Sequence, residues 1–129
     1  MIVLDASVVI AHLAAADAHH ARATTFFRER ADAEFVVHTL TLTEILVGPV
    51  RVGRALDATR ALASLGIDEW SPPAGTAVRL AQLRVTSGLR LPDCCVLDAA
   101  IETESALATF DERLASAARE AGLTTASFD

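Results

Sequence analysis

The chain has 129 residues, a formal net charge of −6 and a hydrophobic fraction of 52%. This length is typical of a single domain, here residues 1–129, that buries its own core. No apolar run approaches the roughly 20 residues that span a bilayer, and the N-terminal segment lacks the basic residues of a signal peptide. The acidic charge argues against a protein that coats nucleic acids generally, but it is compatible with a nuclease whose acids hold metal ions.

The basic residues and the cysteines narrow the possible chemistry further. All 11 Lys and Arg positions are arginine, and the chain contains no lysine, asparagine or tyrosine. A mechanism that needs a catalytic lysine is therefore excluded, and phosphate contacts have to come from arginines or backbone amides. The only cysteines, Cys94 and Cys95, are adjacent and cannot form a disulfide framework. We therefore expect a reducing, cytoplasmic setting.

Short apolar segments alternate with helical segments along the chain. We predict strands at 2–4, 35–37, 67–70, 107–110 and 123–126. We predict helices at 7–15, 19–31, 41–47, 51–65, 76–87, from Pro92 to about 104, and at 112–121. Gly48-Pro49 is predicted to interrupt the helical segment between 41 and 65. This alternation is typical of an α/β fold with a short parallel sheet flanked by helices. Ligands of such folds bind beyond the carboxyl ends of the strands.

Four acidic residues lie at the ends of predicted strands or the starts of predicted helices. Asp5 and Asp111 each directly follow a strand, whereas Glu44 and Asp93 each lie in the first turn of a helix. Because the carboxyl ends of parallel strands share one edge of a sheet, we expect at least Asp5 and Asp111 to lie at the same edge.

Helix capping is an alternative explanation for each of these acids. Thr41 and Glu44 fit the capping box, with Thr41 as the N-cap. Asp5, Asp93 and Asp111 each fit the N-cap of the helix that follows. Capping does not explain, however, why at least two of the acids fall at the edge where this fold class binds ligands.

Clustered carboxylates favour a divalent cation, because their mutual repulsion leaves some of them neutral unless a cation compensates them. Oxygen ligands without His or Cys suit Mg²⁺ or Mn²⁺. Such a metal can hold a phosphate and activate a water as the nucleophile, which requires neither Lys nor Tyr. The absence of lysine excludes two other classes of phosphate-handling protein, the haloacid-dehalogenase-type phosphatases and the response-regulator receivers. The haloacid-dehalogenase-type phosphatases also need an aspartate where this chain has Ser7.

Four segments carry a resemblance to a known family by their order and spacing. They are MIVLDASVVI, LTLTEILVG, LRLPDCCVLDAA and LATFDERL. Together they resemble the acidic motifs of the PIN-domain ribonucleases, most closely the VapC-type toxins of bacterial toxin–antitoxin pairs. The resemblance covers essentially the whole chain. It implies a PIN fold, in which helices flank a short parallel sheet and acids gather at one edge.

The resemblance also implies an activity and roles for individual residues. The positions that match the metal-binding and catalytic acids are Asp5, Glu44, Asp93 and Asp111. Ser7 and Thr109 match polar positions that assist the metal site. The implied activity is endonucleolytic cleavage of RNA that depends on Mg²⁺ or Mn²⁺, with a VapB-type antitoxin as inhibitor and a homodimer as assembly. Either Glu44 or Asp93 orients the attacking water. The alternative is a catalytically inactive PIN-like domain that binds RNA or protein and uses its acids only as caps.

The histidines, Trp70 and several arginines have simpler explanations than a site. Adjacent residues such as His19 and His20 do not share a helix face, so we expect surface or partly buried histidines rather than metal ligands. Trp70 has no aromatic neighbour in the sequence and is predicted to pack rather than to stack on a base. Arg51, Arg54 and Arg60 offer a basic face to RNA or an antitoxin, although a solvated helix face is the simpler interpretation.

The segment that contains Asp93 also carries both cysteines and a second aspartate. Cys94 and Cys95 cannot complete a zinc site and are predicted to be core residues. Asp98 follows Asp93 by five residues and points about 140° away from it on a helix. We therefore expect Asp98 at the surface, at a dimer contact or behind the metal ligands, where it repels Glu102 if both are exposed.

Overall fold

The computed structural model describes residues 1–129. The strands are β1 (Ile2–Leu4), β2 (Phe35–His38), β3 (Ile67–Trp70) and β4 (Ala106–Ala108). The helices are α1 (Ala6–Leu13), α2 (His20–Glu29), α3 (Thr39–Arg51), α4 (Ala55–Ser64), α5 (Thr76–Ser87), α6 (Leu91–Glu102) and α7 (Glu112–Glu120). The predicted α/β fold with a short parallel sheet is confirmed. No helix is long and apolar enough to cross a membrane.

The sheet has the strand order β3-β2-β1-β4, and every pair of neighbouring strands is parallel. The central strand β1 pairs with both β2 and β4, so Val3 lies between Val36 and Leu107. Because all four strands run in the same direction, their carboxyl ends lie at one edge of the sheet. The residues that directly follow β1 and β4, Asp5 and Thr109, are therefore neighbours at that edge.

Two apolar cores cover the two faces of the sheet. One contains Leu4 and Phe35 of the sheet together with residues of α1, α2, α3 and α4. The other contains Val3 and Leu107 together with residues of α6 and α7. Alternate residues of each strand thus enter opposite cores, as expected for a strand that is buried on both faces.

The most deeply buried helix is α6, in which every residue from Cys94 to Ala100 is buried. A helix with this pattern belongs at the centre of a domain, and α6 packs on the sheet and against α3, α5 and α7. The prediction that both cysteines are core residues is confirmed, since both are buried and free. Burial raises the pKa of the Cys95 thiol to about 11, which keeps the thiol protonated and unreactive.

Two predicted features of the chain differ in the structure. Residues 123–126 do not form a strand: Thr125 makes a single bridge to Leu107, beside a strand of only three residues. Gly48 and Pro49 do not interrupt a helix, because α3 continues to Arg51. Proline inside a helix removes one hydrogen bond and crowds the carbonyl of residue i−4, but its φ is helical, and Pro49 lies in the last turn of α3, where the helix accommodates it. The chain turns instead at Gly53, whose φ of 72° favours glycine.

Candidate active site

Asp5 lies at the carboxyl end of β1 and is held by two hydroxyl groups. Its Oδ2 atom accepts hydrogen bonds from Ser7 Oγ at 2.8 Å and from Thr109 Oγ1 at 2.7 Å. The residue is 9% exposed and occupies the N-cap position of α1, but its side chain makes no capping hydrogen bond. The interpretation of Asp5 as a helix cap is therefore wrong.

The two hydroxyl groups are themselves fixed by the loop between β4 and α7. Ser7 Oγ accepts a hydrogen bond from the amide of Phe110 at 3.2 Å, and Thr109 Oγ1 accepts one from the amide of Asp111 at 2.9 Å. Asp5 Oδ1 accepts no hydrogen bond within the protein, and it keeps some contact with solvent. This network orients one carboxylate oxygen into the protein and leaves the other available.

Glu44 lies in the second turn of α3 rather than in the first. The helix starts at Thr39 because His38, the last residue of β2, is its N-cap: His38 Nδ1 accepts a hydrogen bond from the Leu40 amide at 2.9 Å. Thr41 is thus buried inside the helix, and the capping-box interpretation of Thr41 and Glu44 is wrong. Desolvation raises the pKa of Glu44, and the charges of nearby acids raise it further.

Asp93 is the third residue of α6, whose N-cap is Arg90, so the interpretation of Asp93 as an N-cap is also wrong. Pro92 stands before it in the first turn, where the missing donor costs nothing. Desolvation raises the pKa of Asp93, and the negative charges of Asp5 and Asp111 add to this effect.

Asp111 is the one acid of the four that caps a helix. It precedes α7, and its Oδ1 atom accepts a hydrogen bond from the Arg113 amide at 2.9 Å. The prediction of an N-cap at Asp111 is therefore confirmed. Its Oδ2 atom makes no hydrogen bond within the protein.

The structure brings the four acids to the same edge of the sheet, and we call this group the acid rim; its members are Asp5, Glu44, Asp93 and Asp111. Electrostatic effects connect them, since Asp5 acts on both Glu44 and Asp93, and Asp111 acts on Asp93. No three His, Cys, Asp or Glu side chains stand close enough to hold a metal ion as they are arranged. The predicted metal site therefore stays a prediction, although the donor set consists of the oxygen ligands that Mg²⁺ and Mn²⁺ favour.

Comparison with known proteins identifies the family. The family model of the PIN domain matches residues 2–120. The chain belongs to the PIN-domain family. A search of curated proteins finds no match.

Several solved structures of low sequence identity share this fold. A toxin–antitoxin complex from Klebsiella pneumoniae has a TM-score of 0.72 and 20% identity, over 86% of this chain and 87% of that chain. VapC20 from Mycobacterium tuberculosis, described as a toxin that cleaves the sarcin–ricin loop, has a TM-score of 0.76 and 17% identity, over 91% and 95%. FitAcB from Neisseria gonorrhoeae has a TM-score of 0.72 and 17% identity, over 99% and 98%.

Asp98 of this PIN domain is buried inside the protein. It is 2% exposed and accepts hydrogen bonds from Arg79 of α5, from Nε at 3.0 Å and from Nη2 at 3.2 Å. Arg79 Nε also lies 3.0 Å from Glu102 Oε1. The expectation of a surface position or a dimer contact is therefore wrong. The repulsion from Glu102 that was expected if both acids are exposed does not apply, because Asp98 is buried and one arginine pairs with both acids.

His12, His19 and His20 are partly buried, as expected, whereas His38 is fully buried, which differs from the expectation. His19 stacks on Phe110 with ring centroids 4.4 Å apart, and Phe128 covers Phe110 from another direction at 4.3 Å. These contacts fix the loop that positions Thr109 and Asp111. Trp70 is half-buried and packs near His38, which confirms its packing role.

Two arginines with no role assigned from the sequence lie beside the acid rim. Both Arg90 and Arg113 lower the pKa of Asp93, against the larger effect of desolvation. Arg90 precedes Asp93 by three residues, and Arg113 follows Asp111 by two. Their proximity to acids at the starts of α6 and α7 is the signal that could have identified them.

Proposed function

We propose that this PIN domain, residues 1–129, is the toxin of a VapBC-type toxin–antitoxin pair and a metal-dependent endoribonuclease of the cytoplasm. The observation that carries this proposal is the acid rim. Of its four carboxylates only Asp111 caps a helix. The one arginine in contact with any of them is the exposed Arg90, at a long distance of 3.8 Å from Asp93. Acids that neither cap nor pair are typical of a ligand site.

In this proposal the four acids of the rim hold Mg²⁺, for which Mn²⁺ can substitute. The bound metal would activate a water and stabilise the negative charge that develops on the phosphate. Ser7 and Thr109 keep Asp5 Oδ2 turned inward, so that Asp5 Oδ1 is available to the metal. Glu44 and Asp93 are the two acids with a raised pKa, and a carboxylate with a raised pKa is a better base. Either of them can orient the water and accept its proton.

The proposed partners are a VapB-type antitoxin and a second copy of the chain. Two structural neighbours are described as a toxin–antitoxin complex and as FitAB bound to a DNA fragment. The surface also offers exposed apolar side chains that a protein partner can cover; these are Val47, Val50, Val52, Leu56, Val78 and Val85.

Cleavage of RNA by the purified protein, free of antitoxin, tests the proposal. We expect cleavage of a mixture of structured and single-stranded RNAs with Mg²⁺ or Mn²⁺, and none with a chelator. Asp5→Asn and Asp93→Asn should abolish cleavage, whereas Glu120→Gln, which changes an exposed acid at the end of α7, should not. Unchanged cleavage by both aspartate variants would overturn the assignment. RNA or protein binding without cleavage, and without binding of a divalent ion, would instead support the inactive alternative.

A further inference from the structure

The proposed substrate poses a problem of charge for this chain. RNA is a polyanion, the protein has a net charge of −6, and its acid rim presents four carboxylates. A divalent ion offsets only part of this charge. Further cations must therefore lie beside the rim for an RNA backbone to bind there, and all of them must be arginines.

Five arginines are not available for this purpose, because they bind groups of the protein itself. They contact carboxylates, carbonyls or aromatic rings: Arg22, Arg30, Arg79, Arg84 and Arg119. The other six guanidinium groups make no hydrogen bond within the protein, and only two of them lie near an acid, Arg54 at 3.9 Å from Asp57 and Arg90 at 3.8 Å from Asp93; the six are Arg28, Arg51, Arg54, Arg60, Arg90 and Arg113.

Only two of these six arginines lie beside the acid rim. Arg90 is the N-cap residue of α6, and its Nε atom lies 3.8 Å from Asp93 Oδ2. Arg113 lies in the first turn of α7, where its amide binds Asp111 Oδ1. The remaining four lie on α2, on α3, and at the start of and within α4, so the basic face that the sequence offers at Arg51, Arg54 and Arg60 is not at the site.

The pairing of Arg90 is too loose to occupy its guanidinium. Its side chain is 80% exposed, and its single contact with Asp93 is long. Arg79, by comparison, makes two hydrogen bonds of 3.0 and 3.2 Å to Asp98. A free guanidinium can form two parallel hydrogen bonds with phosphate oxygens, a geometry that lysine cannot reproduce.

We infer that Arg90 and Arg113 bind backbone phosphates of the RNA on the side of the acid rim formed by α6 and α7. This inference rests on the proposed function and names the residues that hold its substrate. Phosphate contacts of this kind do not depend on base identity, so these arginines contribute affinity for RNA and not sequence preference.

Salt-dependent RNA binding by arginine variants tests the inference. The probe is a fluorescein-labelled single-stranded RNA of mixed sequence, titrated with the Asp5→Asn protein in Mg²⁺ so that cleavage does not interfere. Adding Arg90→Gln or Arg113→Gln should weaken binding about tenfold each. The slope of log K against log salt concentration should fall by about 0.7 for each lost contact. Arg60→Gln, an exposed arginine of α4, is the matched control and should change neither quantity.

A kinetic measurement with intact acids separates this inference from the proposed function. With Asp5 present, Arg90→Gln and Arg113→Gln should raise KM about tenfold and leave kcat nearly unchanged. If the wild-type protein cleaves RNA but neither variant changes KM or the salt slope, the inference is overturned and the proposed function stands. If the wild-type protein neither binds nor cleaves RNA, both are overturned.

Discussion

The two aspartates of α6, Asp93 and Asp98, have opposite environments. Asp98 is 2% exposed and accepts two hydrogen bonds from Arg79. The side chain of Asp93 is 15% exposed, and its nearest cation, Arg90, is 3.8 Å away with a side chain that is 80% exposed. Asp93 also experiences the charges of Asp5 and Asp111, which raise its pKa together with desolvation.

The comparison teaches how a structural acid differs from a candidate ligand-binding acid in this fold. A charge buried as deeply as that of Asp98 is tolerated only when a cation and hydrogen bonds compensate it. Asp93 has no such partner and lies among like charges, which costs stability and contributes nothing to the core. Side chains that are kept in an unfavourable environment are typical of sites selected for function.

The largest expected effect comes from Asp93→Asn. This change removes a carboxylate from the acid rim without changing the volume of the side chain, and we expect the rate of RNA cleavage to fall by more than about a hundredfold. The free energy of unfolding should stay within about 0.5 kcal/mol of the wild-type value, because a mutual repulsion is lost rather than an attraction. Cleavage assays and urea denaturation measure the two quantities. A variant that loses stability but keeps its activity would show that Asp93 is a structural acid and not a ligand-binding one.

Asp98→Ala should give the opposite result. It leaves Arg79 between α5 and α6 without its main partner, and we expect a loss of about 2–3 kcal/mol in the free energy of unfolding. This is below the usual range for a broken buried pair because Arg79 is 28% exposed and keeps Glu102. The folded fraction should cleave RNA at nearly the wild-type rate. Glu102→Gln is the control, with an expected loss of less than about 1 kcal/mol.

The parts of the fold that the sequence predicts well are those with local signals. The helix α5 has the predicted bounds because glycines with positive φ stand on either side of it, Gly75 at 86° and Gly88 at 72°. The strand β3 likewise starts after Gly66. The sequence predicts Asp5 and Asp111 at one edge because a parallel sheet brings together the residues that follow its strands.

The features that the sequence does not predict depend on contacts between distant segments. The start of α3 is determined by His38, a strand residue whose ring nitrogen replaces the hydroxyl group of Thr41 as the cap. Helix geometry predicts the direction in which Asp98 points, but it does not predict that Arg79 of α5 lies in that direction. The same holds for Arg113, whose charge acts on Asp93 only because α6 and α7 start at the same edge.

A smaller effect is expected from Thr109→Val, which removes a hydroxyl group at nearly constant volume. The variant loses the hydrogen bond to Asp5 Oδ2 and the acceptor for the Asp111 amide. We expect cleavage to fall about tenfold because Asp5 is no longer oriented, and the free energy of unfolding to fall by about 1–2 kcal/mol. Thr109→Ser keeps the hydroxyl group and should retain most of the activity. Equal losses in the valine and serine variants would argue against an orienting role.

The smallest effect concerns His38, which links β2 to α3. Burial lowers the pKa of His38, although Asp98 and Glu69 act in the opposite direction. A proton on Nδ1 would also displace the hydrogen bond from the Leu40 amide, and Nε2 is already enclosed without a partner. The folded state therefore favours the neutral ring.

Because the pKa of His38 is lower in the folded protein than in the unfolded chain, the unfolded chain binds more protons near and below pH 6.5. Stability from this residue is thus fully present above pH 6.5 and is lost as the pH falls toward the folded-state value. His38→Asn keeps an N-cap acceptor without a titrating group, so urea denaturation from pH 7.5 to 5.5 should show a smaller loss of stability in the variant than in the wild type. His12, whose pKa burial also lowers, is present in both proteins and cancels in the difference. Parallel stability curves for the two proteins would show that His38 does not titrate with folding.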